Sequence, residues 1–223
     1  MKIFNLKREW ILWIIILLPV ILYLFLLHQL PALIPVHYNA AGKPDTYASP
    51  VKFLTNLVPE NMVLYLVFLI LPRIDPKKKN YFFFTRAYFF IRFAVHFFLS
   101  ALACISLLSA TGWKLNVPRL VTLGVMILFS ILGNYMISIK PNWFVGIRTP
   151  WTLSNPEVWR KTHIWGGRLM FVTGIIGFVL ILILPPSASS VVVFVAVGLL
   201  VCFAFLYSYI LFKRMPEENT GEV

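Results

Sequence analysis

The chain has 223 residues, of which 60% are hydrophobic and 13% are charged, and its mean hydropathy is +0.83. A water-soluble domain of this length cannot bury so much apolar surface, so the composition predicts a membrane protein and excludes an ordinary soluble domain. The formal net charge of +12 does not indicate nucleic acid as a direct partner, because the basic residues lie beside long apolar runs, where membrane topology and anionic lipid headgroups account for them.

Six apolar runs are long enough to cross a bilayer, because about 20 helical residues span a hydrocarbon core of roughly 30 Å. The runs cover approximately residues 10–29, 53–72, 86–108, 119–139, 164–185 and 190–212. Lys and Arg residues concentrate at one end of these runs, which predicts that the N-terminus and the C-terminus are both cytoplasmic. The predicted fold class is therefore all-α, a polytopic membrane protein built as a bundle of six transmembrane helices.

The predicted extracytoplasmic loop, residues 30–50, is rich in turn formers and is longer than most connections between helices. This length favours a packed, functional loop, although a plain connector would explain the same residues. We predict that the loop contacts something outside the cell. Its candidate residues are His37, Tyr38, Gly42, Pro44 and Asp45.

Several ionisable or polar residues fall inside the predicted helices, where burial without a partner is costly. Counting along the helices puts Glu60 and His96 at the same depth, so they could form a proton-linked pair. Alternatively, Glu60 reaches the outer interface and His96 binds a backbone carbonyl. The same count puts Arg92, Asn134 and Arg168 at one level near the cytoplasmic end, where they could form a polar floor or each extend to the interface independently.

Small residues spaced four apart predict close helix packing in the last two spans, at Thr173 with Gly177 and at Gly198 with Cys202. Cys104 and Cys202 each lie within an apolar run. They are therefore expected to be buried thiols and not a disulfide or a pair of metal ligands.

A polar and aromatic stretch at residues 133–165 interrupts the apolar runs, and the topology predicts that it is cytoplasmic. Pro141 is expected to end the fourth helix. Ser154, followed by Pro156 and Glu157, is typical of a capping box, with Ser154 as the N-cap of a new helix. The stretch is therefore predicted to be an ordered turn followed by a helix start.

Within this new helix, Glu157 is predicted to pair with Lys161, while Trp159 and His163 stack on another face. The tryptophans expected at the level of the lipid headgroups are Trp143, Trp151, Trp159 and Trp165. The cations of the stretch are Arg148, Arg160 and Lys161. This surface is suited to docking an acidic partner or a lipid headgroup. The sequence contains no HExxH, CxxC or Gly-rich phosphate motif, so no metal, no cofactor and no enzyme activity are expected.

Three segments resemble a known family. The run GNYMISIKPNWFVGIRTPWTLSNPEVWRKTH resembles the signature of the SdpI family of bacterial integral membrane immunity proteins, and LPALIPVHYNAAGKPDTYASP resembles the DUF1648 segment that precedes it there. LPRIDPKKKNY is similar to the first inner loop of the family. The positions that match the signature in spacing are Asn142, Gly146, Arg148, Thr149, Pro150, Trp151, Trp159, Thr162 and His163.

The resemblance implies a multi-pass protein of the bacterial plasma membrane that protects its cell from a secreted peptide toxin. It further implies a signalling receptor that sequesters a cytoplasmic transcriptional repressor at the membrane. The implied regions are a DUF1648-like region at 1–84, an SdpI-like region at 85–214 and a mobile tail at 215–223. The implied partner-binding residues, within a signature loop of residues 140–163, are Asn142, Gly146, Arg148, Thr149, Pro150, Trp151, Trp159, Arg160, Lys161 and His163.

Two other functions fit the same residues. One is a small-molecule or ion transporter with a polar path through the helix bundle, lined by Glu60, Arg92, His96 and Arg168. The other is an intramembrane or interfacial enzyme that would depend on His163 or Glu157.

Overall fold

A computed structural model of the chain describes residue 4 and residues 6–39 and 42–215. Within these residues the chain forms seven α-helices, one β-hairpin and three short 3-10 helices. The α-helices are α1 (Leu6–Leu26), α2 (Pro50–Ile74), α3 (Thr85–Ala110), α4 (Val117–Met136), α5 (Pro150–Ser154), α6 (Pro156–Ile183) and α7 (Ser189–Arg214). The strands are β1 (Ile34–Tyr38) and β2 (Pro44–Ala48), and the 3-10 helices are Leu27–Gln29, Lys78–Phe83 and Pro186–Ala188. Apart from Met215, the predicted mobile tail lies outside the described residues.

Six of these helices, α1, α2, α3, α4, α6 and α7, are long and apolar enough to cross a membrane. The prediction of an all-α, six-span membrane protein is confirmed. The cytoplasmic location of both termini remains a prediction from the charge pattern. We call the end of the bundle that carries residues 137–155 the loop side, and the opposite end, which carries β1 and β2, the hairpin side.

The β-hairpin was not predicted, because each strand is only five residues long and contains a proline, which is typical of short edge strands. The strands pair antiparallel, from Ile34 opposite Ala48 to Tyr38 opposite Pro44. Ile34 is fully buried and fixes the hairpin to the helices below it. Its cluster includes Tyr23, Leu26, Phe53 and Leu107.

Helices α1, α2 and α3 form the first half of the bundle. Leu12 and Ile16 of α1 are buried against Tyr65 of α2, and aromatic residues of α3 pack around this cluster. The N-terminus of α2 is capped by Ser49, whose side chain accepts a hydrogen bond from the Lys52 backbone N–H at 3.3 Å. The first half therefore combines apolar packing with local polar caps.

Helices α4 and α6 form the second half, with α7 packed on α6. Their glycines let the two backbones approach closely: a Cβ added to Gly133 would lie 2.5 Å from the Phe171 nitrogen and 2.7 Å from the Gly167 oxygen. Gly177 of α6 is also tightly enclosed, by Met126. A Cβ added to Gly198 of α7 would meet nothing within 4 Å. The predicted close packing is therefore wrong at Gly198, since small-residue spacing does not say which face of a helix meets a neighbour.

Candidate functional site

Helix caps set the shape of the signature loop. Thr149 caps α5, because its Oγ1 accepts from the Thr152 backbone N–H at 3.2 Å and the Thr152 Oγ1 accepts from the Thr149 N–H at 2.9 Å. Asn155 caps α6, and its Oδ1 accepts from the Glu157 N–H at 2.8 Å. The predicted cap at Ser154 is therefore wrong by one residue, since Ser154 is itself the last residue of α5.

Asn142 holds the first turn of the loop in place. It is 1% exposed, and its Oδ1 accepts from the backbone N–H groups of Phe144 and Val145 at 2.9 and 2.7 Å. Its Nδ2 donates to the carbonyl oxygens of Lys140 and Val145, each at 2.9 Å. Because one side chain satisfies four backbone groups, a substitution here would open the turn.

The connection between α2 and α3 supplies the surface on which this turn docks. The buried Asp75 carboxylate accepts from the Trp143 backbone N–H at 2.9 Å and from the Tyr81 hydroxyl at 3.1 Å. Asn80 Nδ2 donates to the Pro141 carbonyl at 2.6 Å. Burial, together with the neighbouring Asp75 charge, raises the pKa of Tyr81, so its hydroxyl stays protonated and remains a donor.

His163 supports the second turn of the loop. Its Nδ1 lies 2.8 Å from the Trp159 carbonyl, and its Nε2 accepts from the Ile147 backbone N–H at 3.0 Å. Gly146 has φ +115° and presses so closely on this ring that an added Cβ would overlap Nε2. Because the Nε2 atom is an acceptor, the imidazole is neutral with its proton on Nδ1. The geometry assigns His163 to holding the loop.

Trp159 lies beneath the same ring. The two rings stack with centroids 4.0 Å apart, which is the stacking predicted from their spacing. Trp159 is 1% exposed, and its Nε1 donates to the Ile139 carbonyl at 3.0 Å. Trp159 therefore faces the protein interior and not the lipid, whereas Trp143 and Trp165 are exposed. The depth of these tryptophans in the membrane remains a prediction.

Contacts with α7 complete the attachment of the loop. The Thr149 hydroxyl donates to Ser208 Oγ at 2.9 Å, and both residues are buried. Trp151 packs against Tyr209, with ring centroids 5.1 Å apart. The loop is therefore anchored to both halves of the bundle.

The outward face of the loop carries its cations. Arg148 is exposed and donates through Nη1 to the Trp143 carbonyl at 2.9 Å. Glu157 pairs with Arg160 at 2.6 Å and with Lys161 at 3.3 Å, and the second of these is the predicted pair.

Burial divides the ten predicted partner-binding residues. At most 2% exposed are Asn142, Thr149, Trp159 and His163. Partly or largely exposed are Gly146, Arg148, Pro150, Trp151, Arg160 and Lys161. The buried residues shape the surface that the exposed residues present, and a partner could reach them only if the loop opened.

A buried ion pair lies in the first half of the bundle. Arg92 donates from Nη1 and Nη2 to the two carboxylate oxygens of Glu9, at 2.9 and 2.8 Å, and Tyr65 donates to Glu9 at 2.9 Å. The guanidinium also lies over the ring of Phe4, 5.1 Å from its centroid. The sequence analysis did not single out Glu9, although an acidic residue beside a membrane span is itself a signal.

The predicted polar floor is not formed. Arg92 points into the α1–α2–α3 half, while Asn134 and Arg168 are exposed and Arg168 lies over the ring of Trp165. Counting residues gives a depth within the membrane but not a direction around the helix axis. Residues at one level can therefore face different neighbours.

The predicted pair of Glu60 and His96 is also wrong. His96 is fully buried, and its Nδ1 lies 2.6 Å from Asn61 Oδ1, while Asn61 Nδ2 donates to Ser100 Oγ at 3.1 Å. His96 Nε2 has no hydrogen-bond partner among the described residues. Glu60 precedes Asn61 by one residue, and neighbouring residues on a helix point about 100° apart. Glu60 therefore points in another direction, into an outer cleft on the hairpin side of the bundle.

This outer cleft lies on the hairpin side, where the hairpin meets α2, α3 and α4. Its volume is about 700 Å³, and its walls include Tyr47, Lys52, Glu60 and Val121. A volume of this size is typical of ligand pockets.

The predicted outer-loop residues all lie in or beside the hairpin. His37 Nδ1 and Asp45 Oδ1 are 2.5 Å apart across the strands, and Pro44 begins β2. Gly42, with φ +75°, lies against Pro118 of α4. Burial raises the pKa of Tyr38, which lines the cleft. The hairpin thus lines the cleft and also contacts α4 of the second half of the bundle.

Comparison with known proteins shows what these features resemble. Residues 138–208 match the SdpI/YfhL protein family, and residues 14–58 match a domain of unknown function, DUF1648. The resemblance to the SdpI family is confirmed. The chain is 26% identical over 209 residues to the immunity protein SdpI of Bacillus subtilis (strain 168), covering 94% of this chain and 98% of that relative. No solved structure matches the chain.

The SdpI match covers the signature loop, α5, α6 and most of α7, whereas the DUF1648 match covers most of α1, the hairpin and the start of α2. The six membrane-spanning helices, together with the similarity to the immunity protein SdpI of Bacillus subtilis, show that the chain is a multi-pass protein of the bacterial cell membrane. Among the described residues, no group of three or more His, Cys, Asp or Glu side chains is placed to hold a metal ion.

Proposed function

We propose that this chain is a membrane immunity protein that protects its cell from a secreted peptide toxin, and that it acts without enzymatic turnover. The observation that carries the proposal is the similarity to the immunity protein SdpI, which extends over nearly the whole of both chains. The division of the molecule into an open cleft at one end and a docked loop at the other supports a protein that contacts different partners at its two ends.

In this proposal the outer cleft receives part of the toxin. Its walls alternate aromatic surface, such as Tyr47, with the charges of Lys52 and Glu60. A peptide with both apolar and charged side chains is complementary to such walls. The pair of His37 with Asp45 fixes the two strands at the mouth of the cleft.

The signature loop supplies the second contact. We infer that it captures a cytoplasmic repressor through an acidic surface of that repressor, in contact with Arg148, Arg160 and Lys161. The docking of the loop on Asp75 and its anchor at Ser208 keep these cations in fixed positions. Fixed positions reduce the entropy lost on binding.

Survival in the presence of the secreted peptide toxin of the same strain tests the outer contact. Cells that express the intact chain are expected to grow, and cells with Tyr47→Ala and Glu60→Gln together are expected to die like cells with an empty vector, because both walls of the cleft are altered. Trp113→Ala is the matched control, since Trp113 is exposed on the hairpin side but outside the cleft. Equal survival of the vector cells and the cells with the intact chain would remove the immunity proposal.

Membrane fractionation in the same cells tests the inner contact. Arg148→Gln with Lys161→Gln is expected to release the repressor into the soluble fraction while toxin protection is kept. The matched control is Lys213→Gln with Arg214→Gln, which removes two exposed charges from the end of α7. Recruitment that is equal in all variants would contradict the repressor contact and leave the immunity proposal standing.

A further inference from the structure

A groove runs between α1 and α3 at the loop side, away from the signature loop and from the outer cleft. Its volume is about 370 Å³, and it is lined by Arg8, Ile11, Arg86, Phe89, Phe90 and Phe93. Both arginines lie within the first turn of their helices, while the other four residues follow further into the membrane span. The groove therefore has a cationic end and an apolar end.

Aromatic rings hold the two guanidinium groups in position. Arg8 lies over the ring of Phe89 and Arg86 over the ring of Phe90, each at 5.8 Å from the ring centroid. The two rings contact each other edge-on, with centroids 5.5 Å apart. Cation–π contact leaves the N–H groups of a guanidinium free to donate to an anion.

The two arginines have no carboxylate partner in the part of the chain that the structure describes. The ion pairs found there involve Asp45, Glu9 and Glu157. Arg86 also lies in the first turn of α3, where the helix dipole disfavours a cation and favours an anion. An added anion between Arg8 and Arg86 would therefore relieve an unfavourable charge arrangement.

The apolar end of the groove extends in the direction of the bilayer core. From Arg86 to Phe93 is two helical turns, or about 10 Å along the axis of α3. Phe93 stacks on Phe97 of the next turn, with centroids 6.1 Å apart, so the aromatic surface continues beyond the groove. This arrangement matches a molecule with an anionic head and a hydrocarbon chain.

We propose that this groove is a binding site for an anionic phospholipid, with the phosphate between Arg8 and Arg86 and an acyl chain along Phe89 and Phe93. The site does not depend on the proposed immunity function, since it shares no lining residue with the outer cleft or the signature loop. It would fix α1 against α3 directly beside the Glu9 and Arg92 pair.

Native mass spectrometry of the full chain in a mild detergent tests the site. The probes are dioleoylphosphatidylglycerol, dioleoylphosphatidylcholine and inorganic phosphate. We expect the phosphatidylglycerol to bind best, and Arg8→Gln with Arg86→Gln to weaken it on the order of 10- to 30-fold, because each surface cation attracts an anionic lipid separately. Arg8→Lys with Arg86→Lys keeps both charges and is expected to retain most of the binding.

Lys78→Gln with Lys79→Gln is the matched control, because it removes two exposed charges from the same side of the bundle but outside the groove. This control is expected to leave the affinity nearly unchanged. An equal loss in both double variants would show general attraction to a basic surface and would overturn the site. Equal binding of phosphatidylcholine, or equally tight binding of inorganic phosphate, would also overturn it.

Discussion

The two halves of the bundle are held together by opposite means. In the α1–α2–α3 half, the helices bury charged and polar side chains, above all Glu9 with Arg92 and His96 with Asn61. In the second half, α4 and α6 meet through glycines such as Gly133, where backbone contacts backbone. Lipid chains are as apolar as leucine, so apolar side chains alone give membrane helices little reason to associate.

This difference has a consequence for substitution. The first half depends on groups that are present in matched pairs, so the loss of one member leaves the other buried and unpaired. The second half depends on glycines, which have no side chain, so it is sensitive to substitutions that add a side chain at these positions. The halves should therefore respond differently to the removal and to the addition of atoms.

The largest effect is expected for Glu9→Gln. Arg92 is only 1% exposed, so this substitution leaves its guanidinium buried without a carboxylate partner. Breaking a buried ion pair in this way lowers the free energy of unfolding by about 3–5 kcal/mol. The change is measured as the difference in the free energy of unfolding between this variant and the unsubstituted chain, both purified in detergent.

The double substitution Glu9→Leu with Arg92→Met is the control for this effect. It removes both charges and keeps apolar volume, so most of the lost stability should return. A double variant as unstable as Glu9→Gln alone would show that the pair itself, and not the orphaned charge, stabilises the first half.

The helices of both halves could be predicted from the sequence, but the side-chain contacts between them could not. Six runs of about 20 apolar residues suffice to predict six spans, because length and hydropathy determine insertion. Counting residues along each helix predicted the depth of Arg92 and of His96 in the membrane. It could not find Glu9 or Asn61 as their partners, because the direction in which a side chain faces depends on how the helices pack.

The second effect is expected for Gly133→Leu in α4. The new side chain would meet the backbone of α6 at Phe171 and Gly167, which cannot move aside as a side chain can. We expect a loss of about 3 kcal/mol, at the upper end of the range for overpacking. Gly198→Leu is the matched control, since open space surrounds Gly198, and its midpoint of thermal unfolding should stay near that of the unsubstituted chain.

The signature loop contacts both halves of the bundle, since Asp75 binds it from the first half and Ser208 from the second. Its order and its position between two spans were predictable from Pro141 and from the residues that begin α6. The one-residue error at Ser154 and the inward position of Trp159 were not, because the short α5 takes up Ser154 and the stack with His163 turns the indole inward.

The smallest effect is expected for Gly146→Ala in this loop. Its φ of +115° disfavours any side chain, and the added Cβ would also displace the His163 ring from the Ile147 N–H. We expect a local loss of about 2 kcal/mol, seen as faster proteolysis within residues 140–149. The ion pair of Glu9 and Arg92 should be unaffected.

Gly112→Ala separates the two causes of this loss. Gly112 also has a positive φ, of 95°, but a Cβ there would meet nothing within 4 Å. Its substitution should therefore cost only the backbone strain, about 1 kcal/mol. If Gly146→Ala destabilises the chain no more than Gly112→Ala does, contact with His163 does not hold the loop. The docking of Trp143 and Pro141 on the α2–α3 connection is then left as its main support.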